Sequence, residues 1–440
     1  MPNVRLLIVA LVACVNSVVA QGTPGGLSPL ERTAAKAVDS HNAEALALLE
    51  KIVNINSGTM NLAGVRAVAD VLRPQLESLG FRVRWVDGIA FKRAGHLIAE
   101  HPGPGPKLLL IGHLDTVFEP SSPFQKFTTL NDSTATGPAV IDMKGGDVVM
   151  IFALRALKDA GQLEKMNVTA VFDGDEEDAG RPLALSRKAL IDAAAGASAA
   201  MGFEDGAGDP KSAVISRRSA TEWKLTTTGY PGHASQIFHD DIGAGAIFEM
   251  SRILTEFYQR LSKEPYLAFS PGLAIGGTLA KVDSTNTAGS ASGKNNVIAG
   301  KMTVTGDMRT LSPEQLSKTE AAMREIVSHH LPKTGGEIEF SDGYPPMAPN
   351  DGNRRLLAMY DQASRDLGQG PVTAVDPSKA GAADVAFIAN IVPMVIDGIG
   401  LSGHDDHSEK ETADLRRLPS QTKRAALVIL RLSQLKAVTP

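Results

Sequence analysis

The chain is almost without cysteine. Cys14 is the only one in 440 residues, so no internal disulfide can staple the fold and no thiolate cluster can hold a metal. Any bound metal must rest on histidine and carboxylate side chains. A surplus of one charge is missing too: the formal net charge is −5 and no dense Lys/Arg run stands out. That excludes nucleic acid as the expected partner. No internal repeat is evident. The apolar stretch Leu6 to Val19 is too short for a comfortable membrane span. Hydrophobic residues at 43% and charged ones at 21% are ordinary for a soluble globular protein.

The N-terminus predicts export. Arg5, the apolar run behind it and Val18-Val19-Ala20 before Gln21 read as a secretory signal peptide over residues 1–20, giving a periplasmic or secreted protein. The alternative is a lipobox, Leu11-Val12-Ala13-Cys14, which would place a lipid anchor on Cys14 and make the chain a lipoprotein. Gln21 to Leu27, rich in glycine, reads as a flexible tether.

The length implies about two domains. Apolar spacing predicts helices over 34–53, 64–79, 147–160 and 186–195, and strands over 81–86, 96–100, 107–112, 167–172 and 199–203. This alternation predicts an α/β layer with a largely parallel central sheet. The texture changes after Arg217. Strands over 220–228 and 297–308 with helices over 242–261 and 312–331 predict an inserted α+β domain, in which 283–296 is a loop. Strand and helix signals resume at 391–396 and 417–435. The expected organisation is a catalytic domain of residues 28–216 and 329–440, interrupted by an insert at 217–328.

Histidines and carboxylates recur at the ends of apolar runs. In a parallel sheet the strand ends are rigid and the loops beyond them are free to carry polar groups. His113 and Asp115 follow the strand 107–112 at i and i+2, a spacing that shares a face. His113 is read as a metal ligand, with Asp115 holding an imidazole in its ligating tautomer. Asp142 lies between Ala139-Val140-Ile141 and Met143-Lys144-Gly145-Gly146 and suits a carboxylate bridging two cations; a helix N-cap is the alternative. Glu176 and Glu177 are adjacent acids after a buried strand, an expensive arrangement without a compensating cation. Glu177 is read as ligand and Glu176 as general base. Asp173, Asp175 and Asp178 crowd the same loop, so a solvated acidic turn competes with that reading. Glu204 ends a short apolar run with Asp205 as a rival, and His407 lies near His404.

Taken in order, Gly112-His113-Leu114-Asp115, Gly137 to Gly146, Asp175-Glu176-Glu177, Phe203-Glu204 and His407-Ser408-Glu409 resemble the M20 family of metallopeptidases, and its glutamate carboxypeptidase branch in particular. Gly229 to Ser235, Asn296-Val297-Ile298 and Asp307-Met308-Arg309 resemble that family's dimerisation-domain signatures. The resemblance implies a homodimer with two Zn²⁺ per subunit, Co²⁺ or Mn²⁺ also suiting such donors. One zinc would lie on His113, Asp142 and Glu204, the other on Glu177, His407 and the shared Asp142. Glu176 would take a proton from the bridging water and pass it to the leaving amine. It further implies that His233 reaches into the partner's site to stabilise the oxyanion, and that Asn296 and Arg309 grip the substrate carboxylate.

The expected activity is release of a C-terminal amino acid from a peptide or N-acyl amino acid. An N-acyl amino acid deacylase or an aminopeptidase is the alternative, and a non-catalytic exported binding protein the remote one. Where glutamate-releasing relatives carry an arginine, this chain has Tyr344. Ser212 stands near the place of their lysine, with Lys211 adjacent, and Ala299 replaces a proline. These departures argue against selection of an acidic side chain.

Overall fold

The computed structural model describes residues 26–205 and 207–435. The expected signal peptide, Cys14 and the tether up to residue 25 lie outside the described residues. Among those described, no helix is long and apolar enough to cross a membrane.

The central six-stranded sheet runs, in spatial order, Arg82–Asp87, Gly95–His101, Asn167–Asp173, Lys107–His113, Ala199–Gly202 and Val395–Ile396. The first two pairings are antiparallel and the remaining three parallel. Its inner strands Asn167–Asp173, Lys107–His113 and Ala199–Gly202 are buried on both faces, as a sheet covered on both sides requires, while the edge strand Arg82–Asp87 keeps exposed charged residues. Leu108, Leu110, Val168, Ala170 and Phe172 face one core, built with helices Pro29–Ser40, Asn42–Val53, Leu62–Ser78, Lys144–Asp159 and Arg417–Ser433. Leu109, Ile111 and Val171, one residue out of phase, face a second core with Lys188–Ala194 and Asp384–Ile388.

Local chemistry moves several expected boundaries. The helix expected over 34–53 is two helices, parted at His41, whose imidazole bonds Glu44 and Asp159. The segment 186–195 is likewise broken, into Leu183–Ser186 and Lys188–Ala194. The strand expected from 391 is reduced to Val395–Ile396, behind Pro393, which has no N–H to give a ladder.

The insert is an antiparallel four-stranded sheet, Ala268–Gly277, Lys301–Arg309, Thr221–Gly229 and Thr334–Phe340 in spatial order. Helices Ala246–Leu261 and Pro313–Ser328 contribute Ile253, Phe257, Met323 and Ile326 to a core with Trp223, Leu225 and Val304. Ser312 caps the second helix by accepting from Gln315 N–H, with Pro313 in its first turn. The first helix starts at Ala246 rather than 242, after Gly243 and Gly245 at φ 77° and 76°, a left-handed path that no helix follows. Beyond the expected boundary at 328, Thr334–Phe340 pairs along Thr221–Gly229 and sets Ile338 and Phe340 against the same core. The stretch 283–296 is also not all loop, since Gly289–Ser292 forms a hairpin with Leu279–Val282. The architecture is α/β with a largely parallel central sheet, carrying an α+β insert.

Candidate metal centre

The parallel strands deliver their following residues to one end of the sheet. His113 closes Lys107–His113, Glu176 and Glu177 lie in the loop after Asn167–Asp173, and Glu204 follows Ala199–Gly202. Asp142 arrives from the turn before Lys144–Asp159. That helix begins three residues earlier than expected, and a Cβ on Gly146 would stand 1.8 Å from the carbonyl oxygen of Phe203. Glycine there lets the first helical turn seat against the strand end that carries Glu204. Met143, not Asp142, holds the N-cap position, and it makes no side-chain cap. The helix-cap alternative for Asp142 is thereby excluded.

Two groups of donors result, His113–Asp142–Glu204 and Asp142–Glu177–His407, each with its ligand atoms within 4.8 Å of one another and both sharing Asp142. His113 Nε2 lies 3.2 Å from Asp142 Oδ1 and 3.5 Å from Glu204 Oε1. His407 Nε2 lies 2.8 Å from Asp142 Oδ2 and 3.1 Å from Glu177 Oε2. Asp142 thus turns one oxygen to each imidazole. Asp205 and His404, the rival donors, fall outside both groups.

These donors fit divalent cations. The Nδ1 side of His113 faces the Asp115 carbonyl at 3.1 Å and its carboxylate at 3.4 Å, both acceptors. A proton on Nδ1 leaves Nε2 with a lone pair pointing at carboxylate oxygens, which needs a positive species between them. Glu177 Oε1 is buried with no hydrogen-bond partner. Burial, and then the charge of Asp142, push the Glu177 carboxyl up to about 8 and lift Glu204 well above the usual carboxylate range. Burial works to lower His113, yet Glu204, Asp115 and Asp142 hold it well above an ordinary histidine. Hydrogen bonds to Asp142 and Glu177 raise His407 to about 11. Burial works to raise Asp142 as well, but its bonds to His113 and His407 hold it far below the usual carboxylate range. Buried glutamates and imidazoles shifted upward together around that one ionised carboxylate mark a site short of positive charge.

Asp115 does more than orient His113. Its fully buried carboxylate accepts from Thr59 Oγ1 at 2.6 Å and from the backbone N–H groups of Glu176 and Glu177 at 3.0 and 3.1 Å. One side chain therefore sets both an imidazole and the loop of adjacent acids. Burial, with the charges of Asp142 and Asp115, raises Glu176 to about 7. The loop is not a solvated acidic turn, because Asp173 and Asp175 are fully buried. Asp173 pairs with His96 at 2.9 Å and Asp175 with Arg187 at 2.6 Å.

Other groups escaped the sequence reading. Buried Arg187 also pairs with Asp384 at 2.7 Å and donates to the hydroxyl of Tyr344. Tyr344 in turn donates to the carbonyl of Glu176 at 2.6 Å. Glu411 accepts from the backbone of the Asp142 turn.

Among the described residues, no hydrogen bond or ion pair of the same chain joins His233, Asn296, Arg309 or Ser212 to these donors. His233 is exposed and its Nδ1 meets Ser235 Oγ at 2.7 Å. Asn296 is exposed beside it, its carbonyl accepting from Ala234 N–H at 2.9 Å. Arg309 pairs with Asp307 at 2.7 Å. Ser212 sits in a two-residue strand, its hydroxyl on the carbonyl of Asp209.

Comparison with known proteins gives a consistent result. The model of peptidase family M20/M25/M40 matches residues 109–431. Carboxypeptidase G2 of Pseudomonas sp. (strain RS-16) is 27% identical over 391 residues, covering 87% of this chain and 88% of that protein. Human aminoacylase-1 is 25% identical over 285 residues, 60% of this chain and 66% of the relative. Among solved structures, the aminopeptidase PepT of Bacillus cereus superposes with a TM-score of 0.70 at 16% identity, covering 89% of this chain and 99% of that one. A dinuclear metal-binding M20 peptidase of Bacillus subtilis superposes with a TM-score of 0.62 at 16% identity, covering 90% and 99%.

Proposed function

Because the chain belongs to peptidase family M20/M25/M40, we propose that it is an exported dinuclear zinc exopeptidase, releasing a C-terminal amino acid from a peptide or N-acyl amino acid. The observation that carries this reading is the pair of donor groups hinged on Asp142, with the Glu176 loop fastened beside them by Asp115. His113, Asp142 and Glu204 would hold one ion and Asp142, Glu177 and His407 the other. Such a pair supplies Lewis acidity and makes water easier to deprotonate at neutral pH. The carboxylate of Glu176 takes the proton from the water that attacks the scissile carbonyl and returns it to the leaving nitrogen. Thr59 and Asp115 keep that carboxylate's backbone fixed. The likeness to carboxypeptidase G2 over most of both chains supports cleavage next to a free carboxylate.

The insert supports a homodimer. It leaves Tyr230, Phe238, Phe248 and Leu279 exposed, apolar surface of the kind that two copies bury. His233, Asn296 and Arg309 touch none of the metal-centre donors of their own chain. We assign them to a site completed by the partner subunit, His233 for the oxyanion and Asn296 with Arg309 for the substrate carboxylate.

A second reading, deacylase or aminopeptidase on the same centre, draws on the likeness to aminoacylase-1 and on the inward-turned Tyr344. N-blocked dipeptides with a free carboxylate, set against free-amine dipeptides with an amidated C-terminus, separate a carboxypeptidase from an aminopeptidase. Cleavage of the first set alone is the expected result; cleavage of the second alone establishes an aminopeptidase.

A further inference from the structure

Glu411 lies four residues after His407 and is fully buried. Its Oε1 accepts from Ile141 N–H at 2.8 Å and Asp142 N–H at 3.3 Å, and its Oε2 from Ala139 N–H at 3.0 Å. All of the carboxylate's hydrogen bonds thus go to the one turn that presents Asp142. That turn needs holding: Ala139 has φ 60°, a left-handed conformation that costs a residue with a Cβ. The backbone of Glu411 is tied to the same stretch, its carbonyl accepting from Thr136 Oγ1 at 2.7 Å, and the next residues, Thr412–Asp414, pair with Thr134–Thr136.

We infer that Glu411 is a positioning residue for both metal sites, locking the Asp142 turn to the His407 loop so that the two oxygens of Asp142 keep their opposite directions. Carboxylates that accept several backbone N–H groups are stiff anchors. Outer partners of metal ligands typically govern affinity by about 10–100-fold. The inference rests on the proposed reading of Asp142 as the shared ligand.

The test is Co²⁺ titration of the metal-free full-length protein, read by its visible absorption, for wild type, Asp142→Asn, Glu411→Gln and Glu411→Asp. Urea unfolding of each metal-free protein is measured alongside. Asp142→Asn checks the underlying reading separately: if it binds two ions like wild type, the shared-ligand assignment fails whatever Glu411 does. Glu411→Gln turns an amide against backbone donors and is expected to weaken both sites at least about tenfold and alter the Co²⁺ bands. Lower metal-free stability with both affinities and the spectrum unchanged marks a purely structural residue and overturns the inference, as does weakening at one site alone. If Glu411→Gln does not fold, Glu411→Asp, which keeps the charge but withdraws it by one methylene, is read against the same criteria.

Discussion

The hydroxyl of Tyr344 donates to the backbone carbonyl of Glu176 at 2.6 Å while accepting from buried Arg187. Tyr344 is therefore not a neutral bystander in the place of an arginine. It holds the backbone carbonyl of the proposed base, while Asp115 holds its N–H. Tyr344→Phe keeps the ring, which packs edge-on against Phe387, and removes the bond. A loss of about 1–1.5 kcal/mol in placing Glu176 predicts a fall in kcat of about tenfold with KM little changed. Steady-state kinetics on an N-acyl amino acid checks this.

The same geometry bears on selectivity. Tyr344 offers no fixed cation, and Arg187 is engaged by Asp175 and Asp384. N-acyl glutamate is thus expected to be cleaved no better than N-acyl substrates with a neutral C-terminal side chain. Competition between the two, read by released amino acid, measures the ratio. Tyr344→Arg should not confer glutamate preference, because a second guanidinium would sit against Arg187.

Arg187 compensates two buried aspartates. Arg187→Met removes that charge and leaves Asp175 and Asp384 unpaired, with an expected loss of about 3–5 kcal/mol of stability. Urea denaturation of the metal-free protein provides the number.

Glu249 anchors the insert. It is fully buried, bonds Arg252 at 2.7 Å and accepts from Leu331 N–H at 2.9 Å. Burial alone would raise its pKa, but these partners hold it below the ordinary glutamate value. A carboxyl lowered on folding contributes stability above its unfolded pKa, about 4.3, and loses it as pH falls through the lower folded value. The stability gap between wild type and Glu249→Gln should be full at pH 7 and close below about pH 4. Thermal unfolding across that range tests it.

Legibility in the sequence followed the range of the interactions. His113, Glu177 and Glu204 were readable because each follows a strand whose apolar run is itself visible. Glu411 was not: it stands in the charged run Ser408-Glu409-Lys410-Glu411, and its partners are backbone N–H groups about 270 positions away. Tyr344 could be flagged only by comparison with relatives, since its bond to Glu176 crosses 168 positions. In the fold, Thr334–Phe340 was missed because its first three residues, Thr-Gly-Gly, carry no apolar alternation and only the neighbouring strand makes them extended. The break at His41 likewise depends on Asp159, in a helix far along the chain.

The most direct test of the central claim compares wild type with Glu176→Gln for metal content and for amino acid release from an N-acyl amino acid. The account predicts two divalent ions per chain in both proteins and a loss of hydrolysis in the variant of about 10²–10⁴-fold. A variant that hydrolyses at the wild-type rate, or a wild type that binds fewer than two ions and remains fully active, would contradict it.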